Sequence, residues 1–284
     1  MTAALWDTFA SRIIIRARLE AATALRIGAG GSDAAQPSAA DLPVLVGPDD
    51  QPFIPGASLR GVLRSQVERI VRTLEPGAPG EFAGRGACNP VDERGWCIPN
   101  KLMEDTWRPR VRRLRREDQD ADAWLAEQVW GHSCRICRVF GNTWLASRVR
   151  IADLHLVAGQ TVRPERRDGV AIHRDKETVQ HKYDFETVPV GSAFELRVTA
   201  ENLGGAERGL LWLGLRELAD GAILLGGFKG RGLGRARLAE TSIAGVEAGD
   251  RAALKRYLLS GELTDMLGLA DGWLETLWNE LGVA

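Results

Sequence analysis

Residues 226–235 read Gly226-Gly227-Phe228-Lys229-Gly230-Arg231-Gly232-Leu233-Gly234-Arg235. Glycine serves where backbone must approach a ligand closely or adopt positive φ. With Lys229, Arg231 and Arg235 in the same stretch, the loop combines backbone N–H groups with positive charge, as a phosphate cradle does. A nucleotide cofactor fits poorly. Lys229 is followed by Gly230, which breaks the Walker pattern, and the dinucleotide pattern needs a strand before it and a helix after it. Here a helical run precedes the loop and a strand-like run, Arg235 to Leu238, follows. A polymer backbone and a plain basic hairpin turn remain as readings.

The cysteines offer a different chemistry. All four, Cys88, Cys97, Cys134 and Cys137, lie within one 50-residue stretch. Cys134 and Cys137 have the C-x-x-C spacing that puts two thiolates on one metal, and Cys88 and Cys97 can close a second, wider loop. In a cytosolic protein such a set favours structural Zn²⁺ over disulfides. A four-thiolate site is closed, so its role would be folding. His132 is a substitute ligand if one cysteine is not used. Free buried thiols are the alternative, and a redox role lacks a thioredoxin-like context.

Arginines supply the third set. Arg60 and Arg64 are four apart and share a helix face, where they could grip adjacent phosphates or simply be solvated. Between Trp107 and Glu117 stand six arginines (108, 110, 112, 113, 115 and 116) and no acid. That run fits a solvated helix face, a phosphate polymer or an acidic neighbouring subunit.

The elements that must position these groups are legible in outline. Arg12 to Leu19 is a strand-like run. A helix over 57–74 carries apolar Leu59, Val62, Leu63, Val67, Ile70, Val71 and Leu74 at spacings of three and four, with Ser58 or Ala57 at its start, where a serine can cap the free N–H groups. Segments 147–157 and 192–199 alternate as strands do. A second helix spans 207–220 and ends at Gly221. Ile223 to Leu225 and 232–238 supply the last strand pair. The order is β-α-β-β-α-β.

Four motifs in sequence point to one family. Ile54-Pro55-Gly56-Ala57-Ser58-Leu59-Arg60-Gly61-Val62-Leu63-Arg64 resembles the I-P-G-S-S-L-K-G-x-x-R signature of the RAMP superfamily, the RNA-binding proteins of CRISPR systems. The stretch 226–234 looks like that superfamily's glycine-rich hallmark. Leu25-Arg26-Ile27-Gly28-Ala29-Gly30-Gly31 is similar to its L-H-I-G-x-G strand exit, with Arg26 where the family often has His. Asp41-Leu42-Pro43-Val44 is similar to the D-x-P-V of the repeated backbone subunit of type III effector complexes. The likeness runs along most of residues 10–240.

The resemblance implies an α+β fold: a ferredoxin-like (RRM-like) palm with a zinc-binding insertion and a β-hairpin thumb. On that plan 1–240 is the palm domain, 77–143 the basic, zinc-binding insertion, 160–190 the thumb and 241–284 a C-terminal helical segment that covers the palm or meets a neighbour. The thumb, matching at 169–175 and 182–185, would fold over guide RNA and displace one nucleotide at each subunit boundary. Ile172 and Val179 would wedge between bases, and Arg174, Lys176 and Lys182 would reach phosphates. Guide contacts are expected from Arg26, Ser58, Arg60, Arg64, Arg174, Lys182, Gly227, Lys229, Gly230, Arg231 and Gly232.

Asp41 occupies the position of the family's target-cleaving aspartate, with Mg²⁺ or another divalent ion as cofactor. Arg26 and Lys182 would stabilise developing charge, and Asp33 is the rival acid. The expected partners are guide CRISPR RNA, target RNA, other RAMP subunits and the large subunit of the complex. A non-catalytic guide-coating scaffold is the alternative. A repeat-processing ribonuclease ranks last, because His155, His173 and His181 lie outside the matching loop.

Composition bounds the rest. The chain has 284 residues and a formal net charge of −1, so any nucleic-acid surface must be a local patch. No apolar run of membrane length and no signal peptide is present, which leads to a cytoplasmic expectation. Residues 30–40 are small and polar and are expected to form a flexible loop.

Overall fold

Ile13, Ile15, Ala17 and Leu19 alternate with Arg12, Arg16, Arg18 and Glu20, so an extended segment has one apolar and one charged face. In the computed structural model this segment is β1 (Ser11–Ala21), at the centre of an antiparallel sheet. The structure describes residues 7–28, 40–77, 82–173, 175 and 179–283. The expected loop at 30–40, except Ala40, lies outside them, as do Asp33, Arg174 and Lys176.

After β1 come α1 (Gly56–Leu74), the single turn α2 (Asn100–Leu102), α3 (Arg108–Arg116), α4 (Ala121–His132) and α5 (Arg135–Phe140). The strands β2 (Val149–Ile151), β3 (Glu165–Ile172), β4 (Val179–Thr187) and β5 (Ala193–Glu201) follow. The chain continues through α6 (Gly205–Ala219), β6 (Ala236–Glu247), α7 (Arg251–Ser260), β7 (Thr264–Asp265) and α8 (Ala270–Leu281). The main sheet has the order β2-β5-β1-β6-β7, and β3 with β4 forms a separate two-stranded hairpin. The fold is thus mixed α+β.

Helix α1 buries Leu59, Leu63, Val67 and Val71, the stripe its spacing requires, whereas Leu74 at its end is exposed. Helix α6 lies beside it, where a Cβ on Gly214 would stand 3.3 Å from Val67. Helix α8 crosses α6 so closely that a Cβ on Gly209 would come within 2.2 Å of the Trp273 carbonyl oxygen. Burial of Trp273, Leu274 and Leu277 holds that crossing together. Among the described residues no helix is long and apolar enough to cross a membrane.

Several expectations need correction. Helix α1 begins at Gly56, and Ser58 is not its cap. The Gly56 N–H instead donates to Asp153 Oδ1 at 2.8 Å, so a carboxylate distant in sequence satisfies the helix end. The strand expected over 147–157 is three residues long, continued by isolated bridges at Leu154 and Leu156. The last strand pair reduces to one bridge between Leu224 and Arg235. The strand proper, β6, runs on to Glu247 against β1, with a register shift and a φ of 53° at Glu240. Residue 240 therefore lies inside a strand, and the C-terminal segment starts as sheet rather than helix.

Candidate functional site

Four segments meet at a small second hydrophobic cluster. Ala24, Phe185 and Leu233 are its buried centre, with Leu42, Tyr183 and Phe228 packed around them. Ala24 comes from the exit of β1, Leu42 from the segment after Asp41, Tyr183 and Phe185 from β4, and Phe228 and Leu233 from the glycine-rich loop. The Phe228 ring meets Phe185 edge-on at 4.7 Å between centroids. Arg26 lies 5.2 Å and Arg231 4.7 Å from the same ring, both in cation–π range. Arg231 also donates to the Tyr183 hydroxyl.

Backbone bonds tie the same segments. Gly227 N–H donates to the Arg26 carbonyl at 2.8 Å, and Gly234 N–H to the Ala24 carbonyl at 3.0 Å. Leu25 and Val188 exchange two bonds, which root β4 on the β1 exit. Gly226, at φ 75°, could not carry a Cβ, which would stand 2.2 Å from the Arg26 carbonyl oxygen. Close backbone approach thus explains Gly226, but the partner is the protein itself. The N–H groups of Gly227, Arg231, Gly232 and Gly234 all donate inward, so the cradle expected of this loop presents mainly side chains, with Gly230 and Gly232 facing open space.

Asp41 is exposed and faces β4. Its N–H donates to Asp184 Oδ1 at 2.6 Å, and the Asp184 N–H donates back to Asp41 Oδ2 at 3.0 Å. Arg166 pairs with the other oxygen of Asp184. Glu186 continues the contact, accepting from Val44 N–H at 3.0 Å, while its own N–H reaches the Leu42 carbonyl. Asp41 is therefore held by the base of the β3–β4 hairpin. Arg26, only 7 % exposed, has its Nη1 buried without a partner. Burial lowers its pKa, and the charge of Glu186 offsets part of that. Lys182 is exposed and pairs with Asp168 at 3.2 Å. Val170 and Val179 are exposed on the hairpin; the side chain of Ile172 lies outside the described residues.

Helix α1 presents two different sides. Ser58, Gly61, Ser65 and Arg69 line an open groove of about 500 Å³ whose opposite wall includes Ile223, Leu224 and Lys229. Arg60 and Arg64 point the other way. Arg60 donates to the Phe140 carbonyl. Arg64 donates to Gly141 O at 3.0 Å, to Glu68 at 2.7 Å and to Cys137 Sγ at 3.6 Å. Burial opposes the Arg64 charge, but Glu68 and Cys137 hold its pKa above the ordinary value. The arginine pair thus grips the cysteine-bearing segment, and the structure does not bring it to the groove with Ser58 and Lys229. Gly61, Ser65 and Arg69 were missed in the sequence, though they share the face of Ser58 at helical spacing.

The cysteines form a cluster that could hold a metal ion. Cys88, Cys97, Cys134 and Cys137 are all buried, with their sulfurs within 4.8 Å of one another. Cys88 and Cys137 sulfurs stand 3.5 Å apart, far beyond a disulfide bond. Tetrahedral Zn–S bonds of about 2.3 Å would put sulfurs about 3.8 Å apart, so the donor set fits zinc. Backbone N–H groups of Cys88 and Cys137 donate to Cys134 Sγ, and that of Cys134 to Cys97 Sγ, as partners of thiolates do.

Charge makes the same case. Hydrogen bonds from Cys137, Cys88 and Cys97 push the Cys134 pKa down, and Cys134 in turn pushes Cys97 and Cys137 up. Cys134 pushes Cys88 up as well, but hydrogen bonds with Cys137 and Cys97 outweigh it and leave Cys88 below the ordinary thiol value. The thiols thus ionise unequally, and a bound dication would favour all four thiolates. His132 is not among the ligands. Its Nδ1 pairs with the Gln128 carbonyl and its ring packs on Trp107. The lobe is clamped to α1 by Arg135, which pairs with Glu75 at 2.9 Å and with Glu280 of α8 at 2.6 Å.

The family model for the RAMP superfamily matches residues 18–237, more than three quarters of the chain. No curated protein matches the sequence.

Proposed function

The chain belongs to the RAMP superfamily of CRISPR-associated RNA-binding proteins, and on that premise we propose that it is a backbone subunit of a type III effector complex. It binds guide RNA by its phosphates and cuts paired target RNA at Asp41. The observation that carries this reading is the convergence of the Asp41 segment, the hairpin base, Arg26 and the glycine-rich loop on one cluster. The strand order β2-β5-β1-β6, with α1 and α6 as its helices, supports a ferredoxin-like palm. The groove between Ser58 and Lys229 is the course proposed for the guide backbone, and the β3–β4 hairpin is the thumb. Reading phosphates rather than base edges lets any guide sequence bind. Neighbouring RAMP subunits, the large subunit and a cytoplasmic location belong to the same reading.

In the cutting step the target's 2′-hydroxyl attacks the adjacent phosphorus and the P–O5′ bond breaks. The departing 5′-oxygen takes a proton from water, so a 2′,3′-cyclic phosphate and a 5′-hydroxyl result. Asp41 takes the 2′-hydroxyl proton. Arg26, packed on Phe228 of the same cluster, and Lys182 of β4 are the cations assigned to the charge on phosphorus. Among the described residues no group of three carboxylates accompanies Asp41. Asp41, with the carboxylate of Asp184 beside it, would hold Mg²⁺ together with RNA phosphates, and the ion would neutralise phosphate charge.

One observation favours a guide-coating scaffold instead: Asp41 already bonds Asp184 reciprocally, which suits a purely structural aspartate. The binding half is tested by Arg69→Glu with Lys229→Glu, expected to weaken guide binding and flatten its salt dependence by about 0.7 for each phosphate no longer neutralised. The cutting half is tested by Asp41→Ala in the assembled guide complex.

A further inference from the structure

The arginine run is not used by the palm site. Helix α3 stands on the cysteine lobe and buries Leu114, while Arg108, Arg112, Arg113, Arg115 and Arg116 are exposed. Arg108, Arg112 and Arg116 are four apart and form one row, about 6 Å per step along the axis. Glu104 pairs with Arg108, Glu117 with Arg113 and Asp122 with Arg115. Arg112 and Arg116 have no carboxylate partner among the described residues. Like charges at this spacing weaken a helix only slightly, and of the three only Arg108 has a carboxylate, Glu104, beside it among the described residues.

A cavity of about 220 Å³ opens at the head of that row. Trp96, Thr143, Trp144 and Arg64 line it, and Cys88, Cys97 and Cys137 line it from the metal-centre side. Both indoles are partly exposed. The Arg108 guanidinium lies 5.8 Å from the Trp144 ring, so cation row and cavity adjoin. Trp144 Nε1 is buried and has no acceptor. The three cysteines belong to the candidate metal centre, so the part of the cavity left to a ligand is its tryptophan side.

We propose that the cysteine lobe carries a second RNA site, separate from the palm groove. It takes one unstacked base of a single strand between Trp96 and Trp144 and holds the flanking phosphates on Arg108, Arg112 and Arg116. Aromatic walls beside a cationic track are how single strands are bound without sequence preference. An acidic protein would use the arginines but leave the indoles and the unsatisfied N–H without a role. The palm groove and the lobe lie on opposite sides of α1, since Ser58 and Ser65 face one and Arg60 and Arg64 the other. The proposal rests on the RNA-binding reading only for the ligand class.

The test is the affinity of the full zinc-loaded chain for a labelled single-stranded oligouridylate over a salt series. Arg112→Glu with Arg116→Glu, both on the surface, should lower the slope of log affinity against log salt by about 0.7 per arginine. Trp144→Leu should weaken binding about tenfold, the loss of one stacked base. Zinc content and far-UV circular dichroism should stay unchanged in the arginine variant, which keeps the test valid if Trp144→Leu unfolds. An unchanged slope in the arginine variant overturns the proposal, and so does a slope that changes for polyglutamate but not for RNA. Arg69→Glu with Lys229→Glu provides the comparison. If only that pair matters, the lobe site falls and the palm reading stands; if only the lobe pair matters, the palm reading falls and the lobe site stands.

Discussion

Phe228 is the residue on which the proposed site turns, and its backbone is strained. It sits at φ 58°, ψ 30°, in the left-handed region that a non-glycine residue enters at a cost of about 1–2 kcal/mol. The ring offsets this. Its edge contact with Phe185 contributes roughly 1 kcal/mol, and the cations of Arg26 and Arg231 add about 0.5–1 kcal/mol each. Phe228→Ala loses the ring and keeps the strain, so it should destabilise by about 2–3 kcal/mol. Phe228→Gly loses the ring but relieves the strain. Its greater unfolded-state freedom takes back part of the relief, so it should be about 0.5–1 kcal/mol more stable than the alanine variant. Urea unfolding of the three proteins gives the order Phe, Gly, Ala. Both variants should also weaken guide RNA binding, because the loop and the hairpin lose their common anchor. An alanine variant as stable as the glycine variant would refute the strain argument, and two neutral variants would refute the hub.

Cys134→Ser should leave less than one zinc per chain by metal analysis and lower the thermal midpoint strongly, since structural zinc contributes about 10 kcal/mol or more in small zinc domains. Glu75 gives a pH dependence. Burial alone would raise its pKa, but hydrogen bonds from Arg135 and the Gly86 N–H hold it below the ordinary 4.5. A depressed carboxylate stabilises fully above pH 4.5, and this is lost as pH falls through the folded value. Glu75→Gln should flatten that acid limb in pH-dependent urea titrations and, by leaving Arg135 buried with one partner fewer, cost about 3 kcal/mol at neutral pH. Gly56→Ala should destabilise by about 1–3 kcal/mol in the same assay, because a Cβ there would lie 2.2 Å from the Ile151 carbonyl oxygen.

Legibility in the sequence followed the range of the physics. The stripe Leu59, Leu63, Val67 and Val71 is a local period, and it predicts the buried face of α1 correctly. The C-x-x-C pair and its two distant partners are recognisable by residue type alone, and all four gather. What failed depended on which surface each face meets. Spacing puts Arg60 and Arg64 together, but only the packed lobe shows that their partners are the Phe140 and Gly141 carbonyls. Ser58 stands where a local cap is expected, but the acceptor for the Gly56 N–H, Asp153, is 97 residues away. Asp184 as the partner of Asp41 is equally non-local, 143 residues apart. The length of β6 escaped notice because Thr241 to Glu247 have no clean alternation; their strand state comes from pairing with β1.

The most direct measurement is cleavage of end-labelled complementary RNA by the assembled guide complex with Mg²⁺, comparing wild type with Asp41→Ala. The account predicts regularly spaced cuts that vanish in the variant while target binding is retained. Unchanged cutting by the variant would contradict it.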